Sequence, residues 1–318
     1  SLHPLVQQNT STLQEQCFSS TFSGREFVLA EHRVQGRKVL PGVAYLEIAR
    51  EALAQAGAFD GEEGLVGLRL QNVVWARPIV VDESPVTVHI GLADQSPGQV
   101  GFEIYSDEGD THSQGVALPL RERVPALDLA AWQQQCGQGR LDRAHCYAGF
   151  DRVGLDYGPH YRAIEHIQVG QGQALARLQL APELALDSAL QLHPGLLDAA
   201  LQSCVGLIDP TQGAQLALPF GLECIDIQGR CSREMWALVQ SASGQQDRVR
   251  KYDITLANDQ GEVIARIQGF SSRVVDGAPG QAPAARPHPS PSPSHATLWL
   301  QPRWEERSEV PDSAPAYV

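Results

Sequence analysis

The amino-acid sequence predicts an α+β fold built from two similar halves, each with one helix followed by several antiparallel strands. Two observations lead to this prediction. A Pro-Gly pair opens a helical pattern at 40–46 and again at 193–199, and runs of alternating apolar residues follow both patterns. The length of 318 residues leaves room for two such units. We therefore expect a curved sheet wrapped around a helix in each half.

The first half is predicted to contain one long helix. Apolar residues recur at helical spacing from about 42 to 56, and Gly57 is expected to end the helix. Alternating or apolar runs then predict strands, two of them joined by an acidic turn that contains glycine. These strands are expected at 86–92, 102–105 and 116–118.

The second half repeats this order. Its helix is predicted from about 195 to 208, with Leu197, Leu201 and Cys204 on the buried face. Strands are expected at 175–180, 235–239, 252–256 and 263–270.

Composition excludes several classes of protein. The chain is 42% hydrophobic and 19% charged, which excludes a wholly disordered chain. Its net charge of −13, with no run of Lys or Arg, argues against a nucleic-acid or anionic-membrane surface. No run of about 18 apolar residues is present, so no membrane span is expected.

The cysteines and the chain ends indicate location and processing. The six Cys form no CxxC pair, which favours free thiols in a reducing cytoplasm. The first residues show no signal peptide and no initiator Met, so we expect a chain cut from something longer. Residues 277–297, rich in Pro, Ala and Ser, predict a linker. The short aromatic run after it predicts the first strand of a further domain at 298–318, or a strand that packs back on the main body.

His32 is the first candidate for proton chemistry. It precedes a turn with Gly36 and a helix start at Pro41 and Gly42. Histidine can move a proton near neutral pH, and a helix N-terminus can polarise a carbonyl oxygen. Together they suit removal of a proton next to a carbonyl group. A purely structural histidine is the alternative.

Asp198 and Gln202 are the second candidate, four residues apart on one helix face. Apolar neighbours would raise the pKa of the Asp198 carboxyl and keep it protonated, so it could donate a proton. An aspartate that only favours the helix dipole is the alternative. Tyr157, before Gly158 and Pro159, could aim its hydroxyl from a tight turn, or be an ordinary turn aromatic. No nucleotide, zinc-protease or serine-hydrolase motif is present, and no metal-ligand spacing is found.

These residues carry a family resemblance. His32, Gly36 and Pro41 match an HxxxGxxxxP motif, Tyr157–Pro159 match a YGP motif, and Asp198 and Gln202 match a DxxxQ/H motif, in the family's order. The sequence resembles the dehydratase domain of a modular type I polyketide synthase over about 1–276. Two departures are His160-Tyr161-Arg162-Ala163 after YGP, where an aromatic, Gln and Gly are usual, and the lack of a Trp after LPF at 218–220.

The resemblance implies a double hot-dog fold, with one half at 1–130 carrying the catalytic His32 and the other at 131–276 carrying the catalytic Asp198. It implies elimination of water from a 3-hydroxyacyl thioester on an acyl carrier protein, without a metal or other cofactor. Tyr157 and Gln202 would support the reaction. A homodimer among neighbouring synthase domains is expected, and the tail resembles the start of a ketoreductase region.

The resemblance leaves other reactions open. The domain could also cyclise its product by oxa-Michael addition, or be an inactive structural domain. Shifting of the double bond is disfavoured because family members that do so typically lack the aspartate. Arg273, at the end of the last predicted strand, resembles an arginine that many such domains carry, and it is a candidate for carrier docking or a simple surface residue.

Overall fold

The computed structural model describes residues 2–208, 215–246 and 248–275, most of which lie in antiparallel strands. The helices are α1 (Phe27–Ala30), α2 (Gly42–Gln55), α3 (Leu129–Gln135), α4 (Arg143–Arg152) and α5 (Pro194–Gln202), with 3-10 turns at Pro159–Tyr161 and Ser203–Leu207. The strands are β1 (Gln8–Asn9), β2 (Gln16–Phe22), β3 (His32–Val34), β4 (Arg37–Lys38), β5 (Gly67–Trp75), β6 (Val86–Ser96), β7 (Gln99–Ser106), β8 (Thr111–Leu120), β9 (Gly139–Asp142), β10 (Leu155–Tyr157), β11 (Ile164–Gly170), β12 (Gln173–Gln179), β13 (Ala217–Ile227), β14 (Glu234–Ser241), β15 (Val249–Asn258) and β16 (Val263–Val274).

The large sheet has the same strand order in both halves. The first half runs β2-β6-β7-β8-β5 and the second runs β12-β14-β15-β16-β13. In each half the strand before the helix lies at one end, and the first strand after the helix lies at the other. The strands that follow the two helices, β5 and β13, pair antiparallel, from Gly221 opposite Val74 to Ile227 opposite Leu68. The two halves therefore repeat the same topology, and the β5–β13 pair forms the seam that joins them.

The helix α2 forms much of the core of the first half, as its sequence predicts. Its residues Val43, Ala44 and Ala49 are fully buried. Gly57 ends the helix with φ +62°, and the N–H of Ala58 donates to the carbonyl of Leu53 at 3.0 Å. This left-handed ending satisfies carbonyls of the last turn and favours glycine.

The second helix is shorter than its sequence predicts. Its α-helical part ends at Gln202, and residues Ser203–Leu207 tighten into a 3-10 turn. The Ser203 hydroxyl donates to the Ala199 carbonyl at 2.7 Å, a local bond that competes with regular helix geometry. All residues of α5 are buried, including Asp198 and Gln202.

A buried carboxylate ties the seam together. Asp226 on β13 is fully buried and lies opposite both Arg69 on β5 and Arg266 on β16. Arg69 Nε donates to its Oδ1 at 2.6 Å, and one Nη of Arg266 donates to its Oδ2 at 3.0 Å. The charge is thus paired on both sides, which a buried carboxylate requires.

A second buried carboxylate, Glu47 on α2, holds the segment that leads into α5. It accepts the main-chain N–H groups of Gln191 and Leu192 at 2.8 and 3.0 Å. Arg50 donates to both of its oxygens at 2.8 and 2.9 Å. The helix α2 is therefore linked to the segment that leads into α5 by charge-assisted bonds as well as by apolar packing.

The predicted division of the chain remains a prediction. Its boundary at 130/131 falls within α3. The predicted linker at 277–297 and the predicted further domain at 298–318 lie outside the described residues.

Candidate active site

His32 is placed by a tight hairpin. The strands β3 and β4 are joined by Gln35 and Gly36, whose φ values of +51° and +80° are those of a two-residue turn with both residues left-handed. The ring Nδ1 of His32 lies 2.7 Å from the carbonyl oxygen of Val39. A carbonyl only accepts, so Nδ1 carries the proton and Nε2 keeps a free lone pair. His32 is 7% exposed.

Tyr157 lies directly beside His32. Its strand β10 pairs with β3, and Tyr157 is opposite His32 in the register. The two ring centroids are 5.5 Å apart. Within the described residues the Tyr157 hydroxyl makes no hydrogen bond, although the residue is only 7% exposed. Burial, followed by the charge of Asp198, raises the pKa of this hydroxyl well above its usual value, so it stays a donor.

Asp198 and Gln202 project from α5 into the same place. Gln202 Nε2 donates to Asp198 Oδ2 at 2.7 Å. Burial raises the pKa of the Asp198 carboxyl, against the smaller opposing effects of His32 and Gln202. His32 is thus close enough to act electrostatically on Asp198, although 166 positions separate them in the chain. A protonated Asp198 would carry its proton on Oδ1, because Oδ2 already accepts from Gln202.

Tyr147 on α4 belongs to this site, and sequence analysis does not find it. Its hydroxyl lies 3.1 Å from Gln202 Oε1 and accepts the main-chain N–H of Ile164 at 3.1 Å. Gln202 Nε2 also donates to the carbonyl of Tyr161 at 3.0 Å. A flipped Gln202 amide would set its oxygen against the oxygens of Asp198 and Tyr161. The oxygens of Asp198 and Tyr161 therefore set the orientation of the Gln202 amide, and Tyr147 supports it by donating to Oε1.

The start of α2 lies on the same segment as His32. Pro41 is the N-cap and Gly42 the first helical residue, whose N–H has no acceptor within the helix. The indole N–H of Trp75 donates to the Gly42 carbonyl at 3.0 Å. A Cβ at position 42 would lie only 3.0 Å from the indole, so glycine permits this close approach. Pro159 opens the 3-10 turn that follows Tyr157.

Arg273 lies apart from these groups. It is the residue before the last of β16 and is exposed. Its guanidinium lies 5.1 Å from the centroid of the Phe220 ring, on the paired strand β13. Phe220 belongs to the LPF segment noted in the sequence. Within the described residues, no group of three or more His, Cys, Asp or Glu side chains could hold a metal ion.

Comparison with known proteins identifies the family. The model of the "Polyketide synthase dehydratase domain" matches residues 3–107, and that of the "Polyketide synthase dehydratase N-terminal domain" matches residues 124–282. The chain belongs to the polyketide synthase dehydratase domains. This dehydratase is a hydro-lyase by family, and it has the double hot-dog fold of its structural neighbours.

Solved structures and whole synthases resemble the dehydratase. A trans-AT PKS dehydratase domain from Brevibacillus brevis is 42% identical with a TM-score of 0.81, and the match covers 86% of this chain and 99% of that one. The dehydratase domain of RzxB from Pseudomonas fluorescens is 30% identical with a TM-score of 0.75, covering 86% and 99%. Polyketide synthase PksM of Bacillus subtilis is 42% identical over 292 residues, which are 87% of this chain and 7% of the synthase. The dehydratase thus spans a small part of that relative. No helix in its described ranges is long and apolar enough to cross a membrane.

Proposed function

We propose that the dehydratase eliminates water from a 3-hydroxyacyl thioester carried by an acyl carrier protein and releases the 2-enoyl thioester. The observation that carries the proposal is the meeting of two complementary groups. His32 offers a free Nε2 lone pair, and Asp198 offers a carboxyl whose pKa is raised by burial. A proton acceptor and a proton donor in one place suit acid–base chemistry on a single substrate.

The proposed reaction balances with these two residues. His32 Nε2 takes the proton from C2, and the C2–H electron pair forms the C2–C3 double bond. The C3–O bond breaks, and the leaving hydroxyl takes the proton from Asp198 Oδ1 to become water. His32 ends protonated and Asp198 ends ionised, so proton exchange with solvent resets both. No cofactor is needed for these transfers; the substrate arrives on the carrier's phosphopantetheine arm.

Three further groups would support the transition state. The Gly42 N–H at the start of α2 would donate to the thioester carbonyl, where negative charge develops. Tyr157 would hold the leaving hydroxyl, since its own hydroxyl makes no bond within the described residues. Gln202 would hold Asp198 with its proton on the oxygen that faces away from the amide.

Two substitutions test these roles. His32→Ala and Asp198→Asn should each lower turnover of a short 3-hydroxyacyl pantetheine thioester by roughly 10²–10⁴-fold. Mass spectrometry would follow the loss of one water from the substrate. His145→Ala and Asp156→Asn are matched controls at exposed positions and should leave turnover unchanged. Near wild-type turnover in Asp198→Asn would show that Asp198 is not the acid.

The same assay separates the proposal from ring closure. A product that keeps its mass after loss of water but loses its enoyl absorbance would indicate oxa-Michael cyclisation. Absence of any loss of water would indicate an inactive structural domain. The family comparisons favour neither alternative.

We also propose that the dehydratase works as a homodimer within a cytoplasmic synthase and meets its carrier protein at Arg273. A carrier is acidic and the dehydratase has a net charge of −13, so docking needs a local cation. The exposed Arg273 guanidinium is suited to a carboxylate or phosphate. Arg273→Ala should slow the carrier-bound substrate and spare the free pantetheine thioester. An equal effect on both substrates, or on neither, would remove Arg273 from docking.

A further inference from the structure

We propose that Glu31 and His160 form a clamp that aligns His32, Tyr157 and Asp198, and that His160 is a positioning residue for dehydration. The inference rests on the proposed function and adds two residues to it. Glu31 precedes His32, and His160 lies in the 3-10 turn that follows Tyr157. They are 129 positions apart, so the contact joins the two halves.

The Glu31–His160 clamp consists of two hydrogen bonds to one carboxylate. The main-chain N–H of His160 donates to Glu31 Oε2 at 2.7 Å. The ring Nδ1 of His160 lies 2.8 Å from Glu31 Oε1. The side chains are only 22% and 16% exposed, so solvent weakens this pair less than a surface ion pair. Two bonds through different oxygens fix the carboxylate in one orientation.

The main chain of Glu31 adds a third bond to the same turn. Its carbonyl accepts the N–H of Gly158 at 2.8 Å. A Cβ at position 158 would lie 2.6 Å from Cβ and Cγ of Glu31, so only glycine permits the approach. The turn after Tyr157 is therefore held against the residue before His32 by both main-chain and side-chain bonds.

The same turn also contacts the helix that carries Asp198. A Cβ at Gly195, in the first turn of α5, would lie 2.0 Å from the carbonyl oxygen of His160. The ring of Phe27 stacks on His160 at 4.4 Å and on His193, the N-cap of α5, at 5.5 Å. Three segments, which carry His32, Tyr157 and Asp198, therefore meet at His160.

Two side chains of the segment after Tyr157 hold it in place. The residues after Gly158-Pro159 are His160-Tyr161-Arg162-Ala163. His160 supplies the ring nitrogen that meets Glu31. Arg162 Nε donates to the Tyr157 carbonyl at 2.6 Å and holds the other side of the turn. His160 thus ties the segment that carries Tyr157 to Glu31, and Arg162 braces it from within.

A positioning role predicts a loss of kcat more than a change of KM. Glu31→Ala and His160→Ala should each lower kcat roughly 10- to 100-fold, since small misplacements of reacting groups are costly. KM should stay within about twofold, because neither residue touches the substrate in this scheme. The double variant should fall no further than either single variant, because both remove the same contact.

Conservative variants should restore the function. His160→Asn keeps a donor near the position of Nδ1. Glu31→Gln keeps an acceptor for the His160 N–H, and its amide can donate to the other ring tautomer. Both should keep most of the wild-type kcat. Asp107→Ala is the matched control, because it removes an exposed His–carboxylate contact, the 2.6 Å pair of Asp107 with His89.

A spectroscopic measurement tests the clamp without turnover. The imidazole resonances of His32, recorded without substrate, should move in His160→Ala and stay in place in Asp107→Ala. Wild-type kcat in both alanine variants, or unmoved His32 resonances, would overturn the clamp. A wild-type chain that removes no water would instead overturn the proposed function, and the resonances would still decide the clamp.

Discussion

Tyr157 lies directly opposite His32 on antiparallel strands, with their ring centroids 5.5 Å apart. One strand comes from each half of the chain, and main-chain bonds between β3 and β10 fix the pair. The candidate base and the candidate hydroxyl donor are therefore aligned by backbone register. Their spacing does not depend on a contact between the two side chains.

Tyr157→Phe separates activity from stability. The Tyr157 hydroxyl makes no hydrogen bond within the described residues, so its removal should leave the free energy of unfolding nearly unchanged or slightly higher. Turnover should fall roughly tenfold if the hydroxyl binds the leaving group. Urea unfolding and a steady-state assay on one preparation would measure both. Unchanged turnover would remove Tyr157 from the reaction.

Tyr147→Phe should lower both quantities. The change leaves the Ile164 N–H and the Gln202 Oε1 without their partner, which should cost about 1–3 kcal/mol of unfolding free energy. Turnover should also fall, because the Gln202 amide loses the bond at Oε1 that supports its orientation toward Asp198. A variant as stable and as active as wild type would contradict the role given to Tyr147.

Asp198→Asn should lower turnover and raise the free energy of unfolding, and the gain in unfolding free energy should depend on pH. Burial raises the pKa of Asp198 in the folded chain, while the unfolded value is about 4. As pH rises above the unfolded value, the folded wild type holds a proton that the unfolded chain has lost, so its stability falls. The advantage of the Asn variant should therefore grow from about pH 4 upward until Asp198 ionises in the folded state. Unfolding curves at several pH values would show this; an advantage independent of pH would argue against a raised pKa.

His193 should make the domain sensitive to acid. Burial, followed by the charge of His160, lowers its pKa to about 4. The usual value is about 6.5, so protonation favours the unfolded chain, and stability should fall by about 3 kcal/mol between pH 6.5 and 4. In His193→Asn this loss should disappear. The difference in unfolding free energy between the variant and wild type should therefore narrow as the pH falls. His145→Asn, at an exposed position, should show no such change.

The sequence predicts the parts of the fold that follow a regular period. The helix α2 and the strands β6 and β15 match their apolar patterns. The two seam strands are not predicted, because their patterns are interrupted. In β5 the register shifts between Gln71 and Val74, around Asn72 with φ +53°, and in β13 it shifts between Pro219 and Gly221. These bulges, which lie in the β5–β8 and β13–β16 pairings, are thus what obscures the two strands in the sequence.

The site residues also divide into those that the sequence can nominate and those that only the folded chain shows. His32, Asp198, Tyr157 and Gln202 lie in motifs with fixed spacing, so sequence can nominate them. Tyr147 has no local signal, because its partner Gln202 is 55 positions away. The Glu31–His160 contact, across 129 positions, likewise exists only in the folded chain. Residues that hold the site are set by long-range packing, which a single sequence does not encode in any pattern.

The repeated Pro-Gly helix start has a consequence for symmetry. Asp198 stands three residues after Gly195, and Tyr45 stands three residues after Gly42, so the two are counterparts. Tyr45 is 2% exposed, and its hydroxyl accepts the main-chain N–H of Ile79 at 2.9 Å. The position that carries the candidate acid in the second repeat carries, in the first, a tyrosine that bonds to the main chain. Of the two repeated helix starts, only that of α5 therefore presents a carboxyl at this position, while in α2 a buried tyrosine fills it.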